Sequence, residues 1–493
     1  MSLFRTKPLS KLLVQAESGG LKRTLGAPGL VALGIGAVIG AGIFVRTAAA
    51  AGQKAGSGVV FSFVIAAVGC ALAGLCYAEF AAMIPIAGSA YTYAYVTMGE
   101  LIAWVIGWAL ILEYALGAAT LSIAWSEYFN NLFPNLVPWE WRHSPLQSFQ
   151  GVHGIVNGPA VVILLLLTLL LIKGTSESAS VNAIIVAVKV TIVVMIIALG
   201  WKFINPVNHT PLLIPDNFDA EHANFFRHGW GGVVGGAGIV FFAFIGFDAV
   251  STAAQEAVNP GRDMPIGLLG SLTVCTVLYI AFSWVLTGIA KWNDFNKPEL
   301  GGEASVAYAI KTGMPGYEWL ATLVTVAILF GFSSVMLVML LGQSRVFYSM
   351  AKDGLLPRIF ADVHPKFCTP YKCNAVLFIF VGLIGAILPG DITGNLTSIG
   401  TLFAFVLVSI GVWIMRRTNP NASRPFRTPL VPVVPILGAL VCGGMIYALD
   451  TETQVAAAVW MLIGLAVYFL YAKSHSQLNQ QEVGPGVTPG VSR

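Results

Sequence analysis

The sequence predicts an all-α polytopic membrane protein, and three observations lead to this fold class. Of the 493 residues, 56% are hydrophobic and only 10% are charged. Soluble domains carry about 25% charged residues, and the mean hydropathy here is +0.78. The apolar residues also fall into runs of about 20, which is the length that one α-helix needs to cross a bilayer. The chain is therefore expected to cross the lipid bilayer many times.

Twelve such runs are predicted as transmembrane helices. In chain order they cover residues 29–50, 57–83, 101–129, 158–173, 180–203, 230–256, 266–290, 317–346, 373–389, 395–415, 430–449 and 454–472. An even number of crossings puts both ends of the chain on one side of the membrane. Residues 1–28 and 473–493 are then tails on that side.

The basic residues predict which side this is. Most of the 27 Lys and Arg residues fall in loops on the side of the termini, whereas Arg46 and Lys54 are among the few assigned to the opposite loops. Cytoplasmic loops carry an excess of Lys and Arg. We therefore expect a cell-membrane protein with both termini in the cytoplasm.

The first span contains a dense glycine cluster, residues 34–44 (GIGAVIGAGIF). Irregular backbone at membrane depth persists only where it is buried in protein or lines a cavity. Transporters use such interrupted helices to build their substrate sites. The cluster therefore predicts that helix 1 is discontinuous and contributes half of a small-molecule site.

A second cluster in the sixth span, residues 235–248 (GGAGIVFFAFIGFD), predicts a second discontinuous helix. Breaks five spans apart indicate two inverted five-helix repeats, 29–205 and 227–416, with spans 430–472 added after them. Glycines spaced four apart also allow close helix packing. Because the two clusters lie at corresponding places and the second ends in Asp248, discontinuous helices are favoured over simple close packing.

Several motifs then point to a known family. These are residues 33–45 (LGIGAVIGAGIFV), 85–91 (PIAGSAY), 244–248 (FIGFD) and 345–357 (RVFYSMAKDGLLP). The chain resembles amino acid permeases of the APC superfamily from about residue 20 to 472, and most closely the cationic amino acid transporter subfamily. The resemblance implies a LeuT-like fold with alternating access.

A free amino acid presents a carboxylate and an ammonium group, and the two breaks offer partners for each. Backbone N–H groups at a helix start attract anions, and the resemblance implies that carbonyl groups at both breaks accept from the ammonium. The predicted substrate-binding residues are Val38, Ile39, Gly40, Ala41, Gly42, Ile43, Phe241, Phe242, Phe244, Ile245 and Met336.

The predicted lining is apolar, which favours small neutral L-amino acids such as alanine. Glu113 in the third span keeps a cationic substrate such as arginine or lysine open as the alternative. No cofactor or metal site is expected, and a net charge of +4 is too small to indicate a nucleic acid partner. A small accessory membrane subunit stays an open question.

Ionisable residues inside a membrane are functional candidates by default. Lys189 lies in the middle of the fifth span and resembles the lysine that replaces a bound sodium ion in some family members. Together with Glu113 it predicts proton-coupled symport, although a lysine that only snorkels to the surface is the alternative. Ser333 and Ser334 keep sodium coupling open. A non-transporting sensor is a further alternative, and an enzyme is not expected.

Overall fold

The computed structural model describes residues 5–8, 23–84, 89–174, 179–215, 224–296, 305–367 and 369–478. Within them, one hairpin pairs β1 (Ser148–Phe149) with β2 (Val152–His153), and an isolated parallel bridge joins Leu25 to Ala257. The helices are α1 (Ala27–Val38), α2 (Thr47–Ala50), α3 (Val59–Met83), α4 (Ser89–Thr97), α5 (Glu100–Leu132), α6 (Gly158–Lys173), α7 (Ala179–Gly200), α8 (Gly229–Val240), α9 (Pro260–Ile289), α10 (Ser305–Gly313), α11 (Glu318–Lys352), α12 (Tyr371–Ile387), α13 (Gly390–Thr418), α14 (Val433–Tyr447), α15 (Thr451–Val467) and α16 (Lys473–His475).

The described part of the chain contains eight helices long and apolar enough to cross a membrane, together with four shorter apolar helices. The prediction of an all-α polytopic membrane protein is therefore confirmed. The predicted span 317–346 is too short, since α11 continues to Lys352, and α4 and α10 were not predicted at all. Both are nine-residue helices without an apolar run, so the hydropathy pattern does not reveal them.

The first span is interrupted in the predicted cluster. Helix α1 ends at Val38, and Ile39 takes an extended conformation with ψ of 100°. The chain then resumes through a π-helical turn, Gly42–Arg46, which leads into α2. The interruption thus breaks the regular hydrogen-bond pattern of the first span and leaves polar backbone groups at the junction.

The sixth span is interrupted too. Helix α8 gives way to a 3₁₀ turn, Phe241–Phe244, after which Ile245 is extended. Gly246 has φ of +103°, a conformation that favours glycine. A second 3₁₀ segment, Asp248–Glu256, completes the span.

An ion cluster on Glu79 ties the ends of three segments together. This carboxylate is only 2% exposed and receives two hydrogen bonds of 2.8 Å from Arg416 at the end of α13. The Thr428 N–H also donates to it at 2.8 Å, and Arg424 lies 3.2 Å away. Glu79 of α3 therefore fixes α13 and the segment that follows it.

We predict that Glu79→Gln destabilises the protein by about 3 kcal/mol, because it leaves two arginines without their buried partner. Thermal unfolding of the purified protein in detergent measures the change. Glu318→Gln is the matched control, since Glu318 accepts a backbone hydrogen bond from Gly316 at an exposed helix start. Equal midpoint temperatures of unfolding for the two variants would contradict the structural role of the Glu79 cluster.

Candidate functional site

The two interruptions contact each other directly in the core. A Cβ added to Gly42 would overlap the Cα of Ala243 in the sixth span. A Cβ added to Gly246 would lie 2.8 Å from the Ala37 carbonyl oxygen. Only glycine allows the two backbones to approach this closely, so the breaks form one continuous junction.

Tyr279 of α9 joins the two breaks, and sequence reasoning missed it. Its hydroxyl lies 3.1 Å from the carbonyl oxygen of Val38 and 2.9 Å from that of Ala243. Both carbonyls belong to residues at which a helix stops, so the regular helical donors are missing there. The only signal in the sequence is a tyrosine inside an apolar run.

The structure brings the predicted substrate-binding residues together around this junction. Each apolar member of the predicted set is at most 5% exposed. The helical turn restarting at Ala41 leaves first-turn N–H groups without acceptors from a preceding turn. Gly40 faces the side chain of Val335 on α11, next to the fully buried Met336. The arrangement offers N–H donors and carbonyl acceptors within an apolar surround.

Aromatic side chains close the junction on the side of α2. The Phe44 ring packs against Phe282 and Phe332, with ring centroids 5.9 and 6.4 Å apart. The Tyr128 hydroxyl lies 3.3 Å from the Phe44 carbonyl oxygen, and its ring packs on Phe332. The candidate site is therefore occluded on this side.

Arg46 lies just beyond these rings, and its assignment to an external loop is wrong. The side chain is 1% exposed and donates a hydrogen bond to Asn395 of α13, with the guanidinium against Gly394. An arginine four residues after Gly42, within a predicted span, is itself a sign of an intramembrane functional group. That sign was available in the sequence.

Backbone pairing closes the opposite side. The N–H groups of Thr24 and Leu25 both donate to the Glu256 carbonyl at 2.9 Å. The Val258 N–H donates in turn to the Leu25 carbonyl at 2.9 Å. The segment before α1 is thereby fastened to the end of the interrupted sixth span.

Lys189 of α7 reaches the end of α1. Its ammonium group donates to the Gly36 carbonyl at 3.0 Å, and the side chain is 4% exposed. Gly331 of α11 gives it room, because a Cβ there would lie 3.2 Å from the Lys189 Cε. A small apolar cavity lined by Ile39, Gly40 and other residues adjoins the ammonium group.

Glu113 and Asp248 form a different kind of pair. Both carboxylates are fully buried and interact electrostatically with each other. The Thr401 hydroxyl lies beside Glu113, and backbone N–H groups lie beside Asp248. Among the residues that the structure describes, neither carboxylate forms a salt bridge with Lys or Arg. Two ionised carboxylates that interact in a dry core repel each other, which sets this pair apart from the ion pairs elsewhere in the protein.

Comparison with known proteins decides the family. The model of the amino acid permease family matches residues 25–472. The chain belongs to this family. The resemblance to permeases of the APC superfamily is thereby confirmed.

Several curated permeases are similar to this chain over nearly its whole length. The branched-chain amino acid permease BcaP of Bacillus subtilis is 43% identical, over 97% of this chain and 99% of its own. The methylthioribose transporter of the same organism is 41% identical, over 97% and 100%. The vacuolar cationic amino acid transporter 4 of Arabidopsis thaliana is 32% identical, over 85% and 68%.

We predict that Gly42→Ala abolishes substrate binding, because its Cβ would push the interrupted first span away from Ala243. Gly40→Ala should retain binding within about tenfold, since its Cβ would lie 3.3 Å from a movable methyl group of Val335. Ligand-induced thermal shifts measure both. Normal binding by the Gly42→Ala protein would contradict the junction as the centre of the site.

We also predict that Tyr279→Phe lowers the stability of the substrate-free protein by about 1 to 3 kcal/mol, because it removes the one hydroxyl proton that two buried carbonyls share. A bound ammonium group would supply a donor again. The substrate-induced thermal shift should therefore exceed that of the unmodified protein. Tyr91→Phe, which removes a 2.7 Å hydrogen bond to Asp353 away from the junction, is the control. The same shift in both variants would rule out this role for Tyr279.

Proposed function

We propose that this protein is a secondary active transporter of L-amino acids in the cell membrane, working by alternating access. The observation that carries the proposal is the junction of two interrupted helices, buried in the core and closed on both sides. Such a junction offers N–H groups to a carboxylate and carbonyl groups to an ammonium. These are the two groups that all free amino acids share.

The proposal includes a LeuT-like arrangement of twelve transmembrane helices with both termini in the cytoplasm. Two inverted repeats, 29–205 and 227–416, precede the last two spans at 430–472. The matching interruptions in the first and sixth spans support this arrangement. Alternating access then requires the halves of these spans to move away from the helices that surround them.

The substrates we propose are neutral aliphatic amino acids, from alanine to the branched-chain residues. The predicted side-chain lining is apolar and includes the buried Phe241, Phe244 and Met336. Glu113 interacts with Asp248 and Thr401, which supports a role other than binding a cationic side chain. BcaP of Bacillus subtilis, described as a branched-chain permease, supports the same choice.

We propose proton coupling through Lys189 and the Glu113–Asp248 pair. Lys189 bonds to the end of α1, so loss of its proton would weaken a contact that holds the interrupted span in place. The Glu113–Asp248 pair is close enough to the second break to respond to its movement, since Asp248 begins the 3₁₀ segment that follows it. Protonation and rearrangement of the breaks are thereby linked.

Uptake into proteoliposomes tests the proposal. We expect alanine, valine, leucine or isoleucine to accumulate under an inward proton gradient without sodium. Lys189→Ala should abolish accumulation, whereas Glu113→Gln should abolish accumulation but retain exchange of internal for external substrate. Ser333→Ala is the control, because the Ser333 hydroxyl donates to the Leu329 carbonyl of its own helix at 2.8 Å.

Other outcomes would favour the alternatives. Accumulation that follows sodium and is lost in Ser333→Ala would indicate sodium coupling. Uptake of arginine or lysine alone would indicate a cationic substrate, and uptake of methylthioribose alone would reject amino acids as substrates. Binding of amino acids without any flux would indicate a sensor.

A further inference from the structure

One carboxylate joins the outer ends of both interrupted spans to the connection between α14 and α15. Asp450 lies 3.1 Å from the ammonium of Lys54, at the end of the first span, and 3.3 Å from the guanidinium of Arg227, just before α8. Lys54 lies at the end of the first span, and Arg227 lies just before α8, with which the sixth span begins. Asp450 belongs to neither span, so the ion triad joins these two spans to another pair of helices.

Lys54 is the most constrained member of the triad. Its side chain is 1% exposed, and it passes close to Gly235 of α8, where a Cβ would lie 3.0 Å from the Lys54 Cδ. Its ammonium group also lies 3.4 Å from the Ala448 carbonyl. Lys54 had been assigned to an external loop, but the structure buries it between α8 and the α14–α15 connection. A buried ammonium group without a carboxylate partner is strongly unfavourable.

Apolar contacts also connect α8 and the residues before it to the end of α14. The ring of Phe226 packs edge-on against Tyr447 at the end of α14, with centroids 5.7 Å apart. A Cβ on Gly238 of α8 would lie 2.9 Å from Leu449. The end of α14 and the residues after it thus form the surface against which α8 is seated.

The two basic residues also keep the Asp450 carboxyl ionised near neutral pH. Burial acts to raise the pKa of the Asp450 carboxyl, but Lys54 and Arg227 together hold that pKa below its ordinary value. The carboxylate therefore stays ionised as the pH falls through the mildly acidic range, and the ion pairs persist there.

We propose that Asp450 is a latch on the outer side of the transporter. Its carboxylate holds the outer ends of both interrupted spans against the α14–α15 connection, and opening of the substrate site to the outside requires this triad to break. The inference rests on the proposed alternating access and topology. It extends them by giving the last two spans, which lie outside the repeats, a part in gating.

Cysteine labelling in intact cells tests the latch. Ala48 of α2 is fully buried, so Ala48→Cys should react slowly with a membrane-impermeant methanethiosulfonate reagent. Adding Asp450→Asn should raise the labelling rate about tenfold or more. Adding Glu318→Gln instead, which removes an exposed carboxylate with only backbone partners, should leave the rate unchanged. The chain without Ala48→Cys serves as the blank.

A double change separates the latch from general loosening. Lys54→Met together with Asp450→Asn removes both charges of this ion pair, and at position 54 an apolar side chain of similar length fills the same space. We expect slow labelling to return, because a buried ion pair and an apolar replacement are often equally stable. Hydrogen exchange of residues 51–58 and 225–235 needs no introduced cysteine. We expect it to be faster in Asp450→Asn than in the unmodified protein, and slow again in the double variant.

An unchanged labelling rate in Asp450→Asn would overturn the latch, and so would a double variant that stays as fast as the single one. Neither readout needs transport. Absence of uptake by the unmodified protein for every amino acid would therefore count against the proposed function alone, whereas normal uptake with unchanged labelling would count against the latch alone.

Discussion

The close contact between two interrupted helices is the constraint on which the rest of the structure depends. A helix that stops inside a membrane leaves carbonyl and N–H groups that lipid cannot satisfy. Here each break lies against the other, with Gly42 on Ala243 and Gly246 on the Ala37 carbonyl. The freed groups are consequently shielded from lipid, and the carbonyls of Val38 and Ala243 share the Tyr279 hydroxyl.

Four of the buried acidic and basic residues divide into two classes by their partners. Glu79 and Lys54 each meet an opposite charge, and both connect segments that are distant in the sequence. Such pairs fix geometry, since removal of either partner leaves a charge stranded in the interior. Glu113 and Asp248 instead interact with each other. Two ionised carboxylates in the core repel, so this pair does not fix the geometry as the pairs of opposite charge do.

Much of the fold could be predicted from the sequence because lipid imposes simple rules. Apolar runs reveal spanning helices, and the glycine clusters at 34–44 and 235–248 revealed both interruptions. The sequence could not reveal Tyr279 as the bridge, because nothing in an apolar run says which carbonyls its hydroxyl will meet. Arg46 and Lys54 were misassigned for a related reason. Each lies near the predicted end of a span, where hydropathy cannot separate an exposed basic residue from a buried one with a distant partner.

The two ends of the site are fastened differently. At the end near the start of α1, the preceding residues pair with the sixth span through backbone hydrogen bonds, from Thr24 and Leu25 to Glu256. At the end near α2, side chains close the site, with Phe44 packed on Phe332 of α11 and Asp450 bound to Lys54. The backbone pairing near the start of α1 joins the two interrupted spans to each other. The side-chain contacts near α2 join them to α11 and to the α14–α15 connection instead, so under the proposed alternating access an opening at this end breaks contacts between two sets of helices.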